Sequence, residues 1–258
     1  MQITQVRNAT QLIHYADKRF LVDPMLADKG TYPGFAGSSR SQLYNPLVEL
    51  PCDIERLLEV DAVILTHTHL DHWDSTAIDR IPNAMPIFVQ NEHDRALLCQ
   101  QGFTQLTVMG AETRFGDVTL TRTLGQHGSD EAYADPATAE RMGDACGVIF
   151  RHAEERTLYL IGDSVWTPVV EHTLKAVQPD VVIANMGWAH IMAFGAIIMG
   201  AEDAVRIHHT VPHAQIVATH MEAINHCLLT RAALREFARD NGVAEYVHIP
   251  ADGESVIF

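Results

Sequence analysis

Short apolar runs broken by polar turns recur along this chain, and their lengths separate strands from helices. Gln11 to Tyr15 and Arg19 to Val22 flank Ala16-Asp17-Lys18 and predict a hairpin. Ala62 to Leu65 is a four-residue apolar run followed by polar residues, the pattern of a buried strand. Further strands are predicted at Ile87 to Val89, Val118 to Thr123, Gly147 to Arg151, Leu158 to Ile161, Val181 to Ala184, Ile216 to Ala218 and Tyr246 to Ile249. Helices fall between them. Asp74 caps a short one that ends before Pro82, and Asn91 caps Glu92 to Gln100, which Gly102 stops. Thr167 to Ala176 and Glu202 to His209 predict two more, and Thr230 caps Arg231 to Asp240 ahead of Asn241-Gly242. Strands dominate the first half and alternate with helices in the second, which predicts sheet layers covered by helices. The segment from Gly30 to Pro51 has no periodicity and reads as a long loop, either a lid or a surface for self-association as a homo-oligomer.

No repeat, low-complexity tract or linker divides the sequence, so residues 1–258 are expected to form a single domain. Apolar residues make up 47% of the chain, which excludes a disordered protein. With 18 basic against 33 acidic residues the formal charge is −15, which argues against nucleic acid as a partner. An anionic small-molecule substrate stays compatible, because bound divalent metals reverse the local field. The four cysteines (52, 99, 146 and 227) form no C-x-x-C pair, which excludes a cysteine zinc knuckle and argues against a disulfide framework. The first residues lack an apolar signal region, and no run approaches the roughly 20 residues of a membrane span. A soluble cytoplasmic protein without a membrane partner is expected.

Histidine is the unusual feature of the composition: there are 15. The informative segment is His67-Thr-His69-Leu-Asp71-His72, placed directly after the predicted strand at 62–65. In extended chain His67 and His69 point to the same side, and Asp71 and His72 follow where the chain turns. Four ligand-type side chains within six residues, on a rigid strand, are what a metal site needs. Imidazole and carboxylate suit zinc, with manganese and iron as alternatives.

His-Thr-His-Leu-Asp-His resembles the signature of the metallo-β-lactamase superfamily of metal-dependent hydrolases. The resemblance spans about residues 10 to 225 and implies an α+β fold, the four-layer αββα sandwich. It also implies a third histidine, a bridging aspartate and a late histidine, each at a strand end. Gly125-Gln126-His127-Gly128, Ile161-Gly162-Asp163-Ser164 and Ala218-Thr219-His220-Met221 supply them in order. Carried over, His67, His69 and His127 would bind one divalent ion. Asp71, His72 and His220 would bind a second, and Asp163 would bridge the two. Asp71 is the candidate catalytic residue, orienting the metal-activated water or taking its proton.

Leu21-Val22-Asp23-Pro24 and Asp71-His72-Trp73-Asp74 are similar to the branch of ascorbate-6-phosphate lactonases, itself similar to N-acyl-phosphatidylethanolamine phospholipases. Asn8-Ala9-Thr10 and Asn185 to His190 depart from that branch's pattern. The expected activity is therefore hydrolysis of a small ester, lactone or phosphoester. The alternatives are a nuclease or phosphodiesterase of the same superfamily and a non-catalytic metal-binding protein. Candidate substrate contacts are Trp188 and His190, which follow the predicted strand at 181–184, and Asn225 and His226, which follow His220.

Overall fold

The computed structural model describes residues 1–258. An antiparallel meander of β1 (Gln2–Arg7), β2 (Thr10–Tyr15) and β3 (Lys18–Val22) starts the chain. After the long loop come α1 (Ile54–Leu57), β4 (Ala62–Ile64), α2 (Ser75–Arg80), β5 (Ile87–Val89), α3 (Glu92–Gln100) and β6 (Leu106–Val108). These strands add to the meander in parallel, by helical crossovers.

The second half runs β7 (Thr113–Phe115), β8 (Val118–Leu124), α4 (Asp130–Ala134), α5 (Pro136–Met142), β9 (Cys146–Arg151) and β10 (Leu158–Leu160). It continues with α6 (Pro168–Val177), β11 (Val181–Asn185), the short pair β12 (His190–Ile191) and β13 (Gly195–Ala196), α7 (Ala201–Thr210) and β14 (Gln215–Thr219). The last elements are α8 (Arg231–Asp240), β15 (Val247–His248) and β16 (Ser255–Ile257). Two seven-stranded sheets result, β16-β1-β2-β3-β4-β5-β6 and β15-β14-β11-β10-β9-β8-β7.

The sheets pack face to face. Ile3, Ile13, Phe20 and Ile64 of the first meet Leu120, Val148, Phe150 and Ile183 of the second. The outer face of the first sheet, including Val63 and Ile87, is covered by Ala77 of α2 and Leu98 of α3. On the other side Val182 and Ile216 pack under Val170, Leu174, Ile207 and Leu234 of α6, α7 and α8. These four layers are the αββα sandwich implied by the sequence. They also explain why the central strands read as unbroken apolar runs: both faces are buried.

The helix starts follow capping chemistry, with Asp74, Asn91, Thr167 and Thr230 each accepting a backbone N–H two or three residues into its helix. The segment predicted as a loop is one, held by isolated bridges between Tyr32 and Asn45 and between Ser38 and Ile191. The strand and helix patterns miss β1, β6, β7, β12, β13, β16, α1, α4 and α5. In β1 the inward positions Gln5 and Arg7 are polar yet buried, which hides the alternation. No helix is long and apolar enough to cross a membrane.

Phe150 is fully buried between the sheets and stacks edge-on against Phe20 at 5.5 Å and tilted against Tyr15 at 5.5 Å. Phe150→Ala should cost about 3–5 kcal/mol by the loss of this contact and the cavity left behind. Urea denaturation, with the slope unchanged and the midpoint lowered, checks it.

Candidate metal centre

Every proposed ligand leaves the end of a strand. His67 follows β4, His127 follows β8, Asp163 follows β10, and His220 follows β14. The turn carrying Asp71 and His72 is closed by the backbone N–H groups of His72 and Trp73, which both donate to His69 O (2.9 and 2.8 Å). Two tight backbone turns aim the later ligands. Gly162 has φ +74°, and a Cβ there would lie 2.3 Å from Cys146 O. His220 itself is in the left-handed region (φ +60°), held by its N–H to Asn8 O at 2.9 Å.

The structure brings all seven groups together. Their ligand atoms fall into three overlapping sets, His67–His69–His127, His67–His72–Asp163 and Asp71–His72–His220, each within 4.8 Å. Asp163 Oδ2 is central, 3.2 Å from His72 Nε2, 3.5 Å from both His127 Nε2 and His220 Nε2, and 4.0 Å from His67 Nε2. Asp71 Oδ2 lies 3.3 Å from His220 Nε2.

The outward nitrogen of each ring has a partner. His69 Nε2–H donates to Arg141 O (2.9 Å), His127 Nδ1–H to Ile197 O (2.9 Å) and His72 Nδ1–H to Asp23 Oδ2 (2.9 Å). Thr66 Oγ1 spends its proton on Asp23 Oδ2 (2.7 Å), so His67 Nδ1–H donates to Thr66 Oγ1 (3.1 Å). His220 Nδ1 faces Cys227 Sγ at 3.3 Å. These anchors fix the tautomers. They leave lone pairs on His67 Nε2 and His69 Nδ1, which nonetheless face each other at 3.1 Å. Two acceptors at that distance repel unless a cation lies between them, and outward anchoring of this kind is how proteins orient metal-binding imidazoles. The donor set therefore fits divalent metal.

The electrostatics agree. Burial drives His67 well below the ordinary imidazole range and His127 down to about 4, so both are neutral. Burial pushes His72 the same way, but Asp163, Asp23 and Asp71 outweigh it and lift it to about 10. His220 is raised well above its ordinary value, against burial, by Asp163 and Cys227. Asp71 and Asp163 are in turn held well below the carboxylate range by His72 and His220, again against burial. Positive charge is thus demanded on the Asp71–His72–His220 side, where metal competes with protons.

A cavity of about 230 Å³ opens beside the centre. Its apolar wall comprises Phe35, Ala36, Leu70, Met142, Ile191 and Ile197, and its polar side includes His69, Asp71, His127 and His226. Of the four candidate substrate contacts, only His226 lines it. Trp188 instead faces a separate cavity together with Trp166, and the His190 ring packs on Trp188 at 4.3 Å. Asn225 is fully buried and pins the long loop. Its Oδ1 accepts from Phe35 N and Asn45 Nδ2, and its Nδ2 donates to Ser38 Oγ and Ser39 O. It shapes the cavity by holding Phe35 and Ser38 in its wall rather than by facing it.

The family described as Beta-lactamase superfamily domain matches residues 18–221, most of the chain. The chain belongs to the metallo-β-lactamase superfamily. Within it, UPF0173 protein YddR of Bacillus subtilis (strain 168) is 43% identical, with all of both chains covered. The chain therefore falls in the UPF0173 family of metal-dependent hydrolases. The crystal structure of an isothiocyanate hydrolase from Delia radicum gut bacteria is 50% identical, with a TM-score of 0.98 over 100% of this chain and 99% of that one. That of a possible metal-dependent hydrolase from Veillonella parvula DSM 2008 is 45% identical, with a TM-score of 0.97 over 99% and 98%. Two large sheets flanked by helices are the fold of this superfamily.

Sequence reasoning did not single out Asp23, Asn8 and Asn185 as supporting groups of the centre. Asp23, at φ +43°, accepts Thr66 N on Oδ1 (2.8 Å) and orients both Thr66 and His72. Asn8 Nδ2 donates to Asp71 O, and Asn185 Nδ2 donates to Asp163 Oδ1 (2.6 Å). The signals for Asp23 were its place directly after a strand, before Pro24, and the resemblance carried by Leu21-Val22-Asp23-Pro24, neither of which says that it anchors a ligand. Asp23→Ala should weaken metal retention about 10–100-fold while the fold persists. Dialysis against a graded chelator with metal analysis measures this, and wild-type retention would refute the anchoring role.

Proposed function

We propose that this chain hydrolyses small, largely apolar molecules carrying an electrophilic carbon, and that isothiocyanates are its substrates. The observation that carries this reading is the cavity wall. Six apolar residues line the cavity beside the metal centre, and Arg141, the single cationic residue lining it, is itself exposed. Divalent ions at the centre would attract an anionic group, but the apolar wall offers the rest of a substrate no polar partner and so favours an apolar organic group. The 50% identity to an isothiocyanate hydrolase supports the same class.

His67, His69 and His127 would hold one divalent ion, Asp71, His72 and His220 a second, and Asp163 would serve both, with zinc best suited to the donors. When bound, such ions supply Lewis acidity that lowers the pKa of a water toward neutrality and polarises the electrophile. The remaining steps belong to the chain. Asp71, on the cavity side of the centre, orients the water and receives its proton. The apolar wall holds the substrate's organic group and excludes bulk water. The water oxygen bonds to the central carbon of R–N=C=S, the C=N π pair moves to nitrogen, and the proton held by Asp71 follows. The resulting thiocarbamic acid, R–NH–C(=S)–OH, transfers its hydroxyl proton to nitrogen. Cleavage of the C–N bond then gives R–NH2 and O=C=S, so that R–NCS and one water are fully accounted for. A lactone or ester carbonyl meets the same groups and is the second reading, supported by the resemblance of Leu21-Val22-Asp23-Pro24 and Asp71-His72-Trp73-Asp74 to lactonases.

The test is a panel of benzyl isothiocyanate, an aliphatic lactone, a phosphodiester and a β-lactam on metal-loaded protein. Turnover is expected to be greatest for the isothiocyanate, with amine and carbonyl sulfide released in equal amounts. Turnover confined to the phosphodiester would overturn the reading. Asp163→Ala and His69→Ala should abolish turnover and reduce bound metal well below the wild-type amount. Asp71→Asn should remove most activity.

A further inference from the structure

One imidazole faces the cavity without belonging to the metal centre. His226 is 7% exposed, and its ring stands edge-on against Phe35 with centroids 5.0 Å apart. Its carbonyl accepts the backbone N–H of His190 (3.1 Å), which fixes the main chain behind the ring. The two ring nitrogens lie in unlike surroundings. Nδ1 is buried with no hydrogen-bond partner, whereas Nε2, also unpartnered, is not fully buried and belongs to a residue that lines the cavity.

That asymmetry selects a tautomer. A buried N–H without an acceptor is rarer and costlier in proteins than an unsatisfied lone pair. Nδ1 therefore carries the lone pair and Nε2 the proton. Burial also holds the ring down to about 4, so it is neutral at pH 7. The other donors of the cavity are committed elsewhere. His69 and His127 donate to Arg141 O and Ile197 O, and Ser38 Oγ–H donates to Phe35 O (2.7 Å). Arg141 lines the cavity but is exposed to solvent.

We propose that the Nε2–H of His226 is the substrate-facing donor, hydrogen-bonded to the heteroatom that gathers negative charge as water adds to the electrophilic carbon. In an isothiocyanate this is the nitrogen that later leaves as the amine. In a lactone or ester it is the carbonyl oxygen. The role rests on the reading of the protein as a hydrolase of electrophilic carbon. A neutral donor suits it, because it is fixed before the charge develops and sits where water is largely excluded, so the bond strengthens in the transition state. His226 makes and breaks no covalent bond in this role, and the protons that reach the amine come from the water.

The experiment pairs two variants with a spectroscopic measurement. His226→Phe keeps an aromatic wall against Phe35 and removes the donor. It should lower kcat about 10²–10³-fold, with KM changed far less and metal content at the wild-type level. His226→Gln retains an N–H donor and should recover much of the loss. Nitrogen-15 NMR of histidine-labelled protein at pH 7 should show a neutral ring protonated on Nε2 whose signals vanish in His226→Gln. Wild-type kcat in His226→Phe, an imidazolium at pH 7, or a proton on Nδ1 would each overturn the proposal. Both variants are assayed on benzyl isothiocyanate and on a lactone. Wild-type turnover of the lactone alone would refute the isothiocyanate reading yet still test His226, on the lactone. Turnover of the phosphodiester alone would refute both.

Discussion

Lone pairs that face one another in a buried space make a configuration that a folded chain holds only at a cost. Here His67 Nε2 and His69 Nδ1 approach to 3.1 Å, while Asp163 Oδ2 sits within 4.0 Å of four imidazole nitrogens. What sustains it is the ring of outward hydrogen bonds to Thr66, Arg141, Asp23 and Ile197. Each of those partners is placed by a different part of the fold. Asp23 comes from the end of β3, Arg141 from the last turn of α5, and Ile197 from the segment after β13. The two sheets, their shared core and the connecting loops thus converge on one electrostatic requirement, and divalent cations are the natural way to meet it.

How much of this was legible in the sequence depended on whether the signal was local. His67, His69, Asp71 and His72 lie within six residues behind an apolar run, so the strand and the ligand pattern announce each other. His127, Asp163 and His220 are far apart and were found because each follows a strand and because the resemblance said what to seek. Capped helices were equally readable, since Asn91 and Thr230 act on residues two or three positions away. β1 was not, because Gln5 and Arg7 are buried by contacts that reach distant segments. Arg7, for example, donates to the carbonyls of Met25, Ala27 and Val48. The candidate substrate contacts fared similarly. Nearness in sequence to β11 or to His220 does not say which way a side chain turns, and Trp188, His190 and Asn225 turn elsewhere.

The cavity's composition separates this protein from what its signature alone would suggest. The ligand motif is shared across a superfamily with diverse substrates, so selectivity has to come from the walls. Those walls are assembled from the long loop through Phe35, from α5 through Met142 and from the region around β12 and β13 through Ile191 and Ile197. None of these segments has strong periodicity, and the loop among them is fastened by Asn225.

The bond from His69 to Arg141 O joins the metal centre to the α5 wall, since Met142, the next residue, lines the cavity. A divalent ion held by His69 would constrain the ring that anchors the end of this helix through its hydrogen bond to Arg141 O. Were metal to favour this position of the wall, a ligand favouring the same position would tighten metal binding by the factor by which metal tightens the ligand. One peptide carbonyl would in that case link cofactor affinity to substrate enclosure.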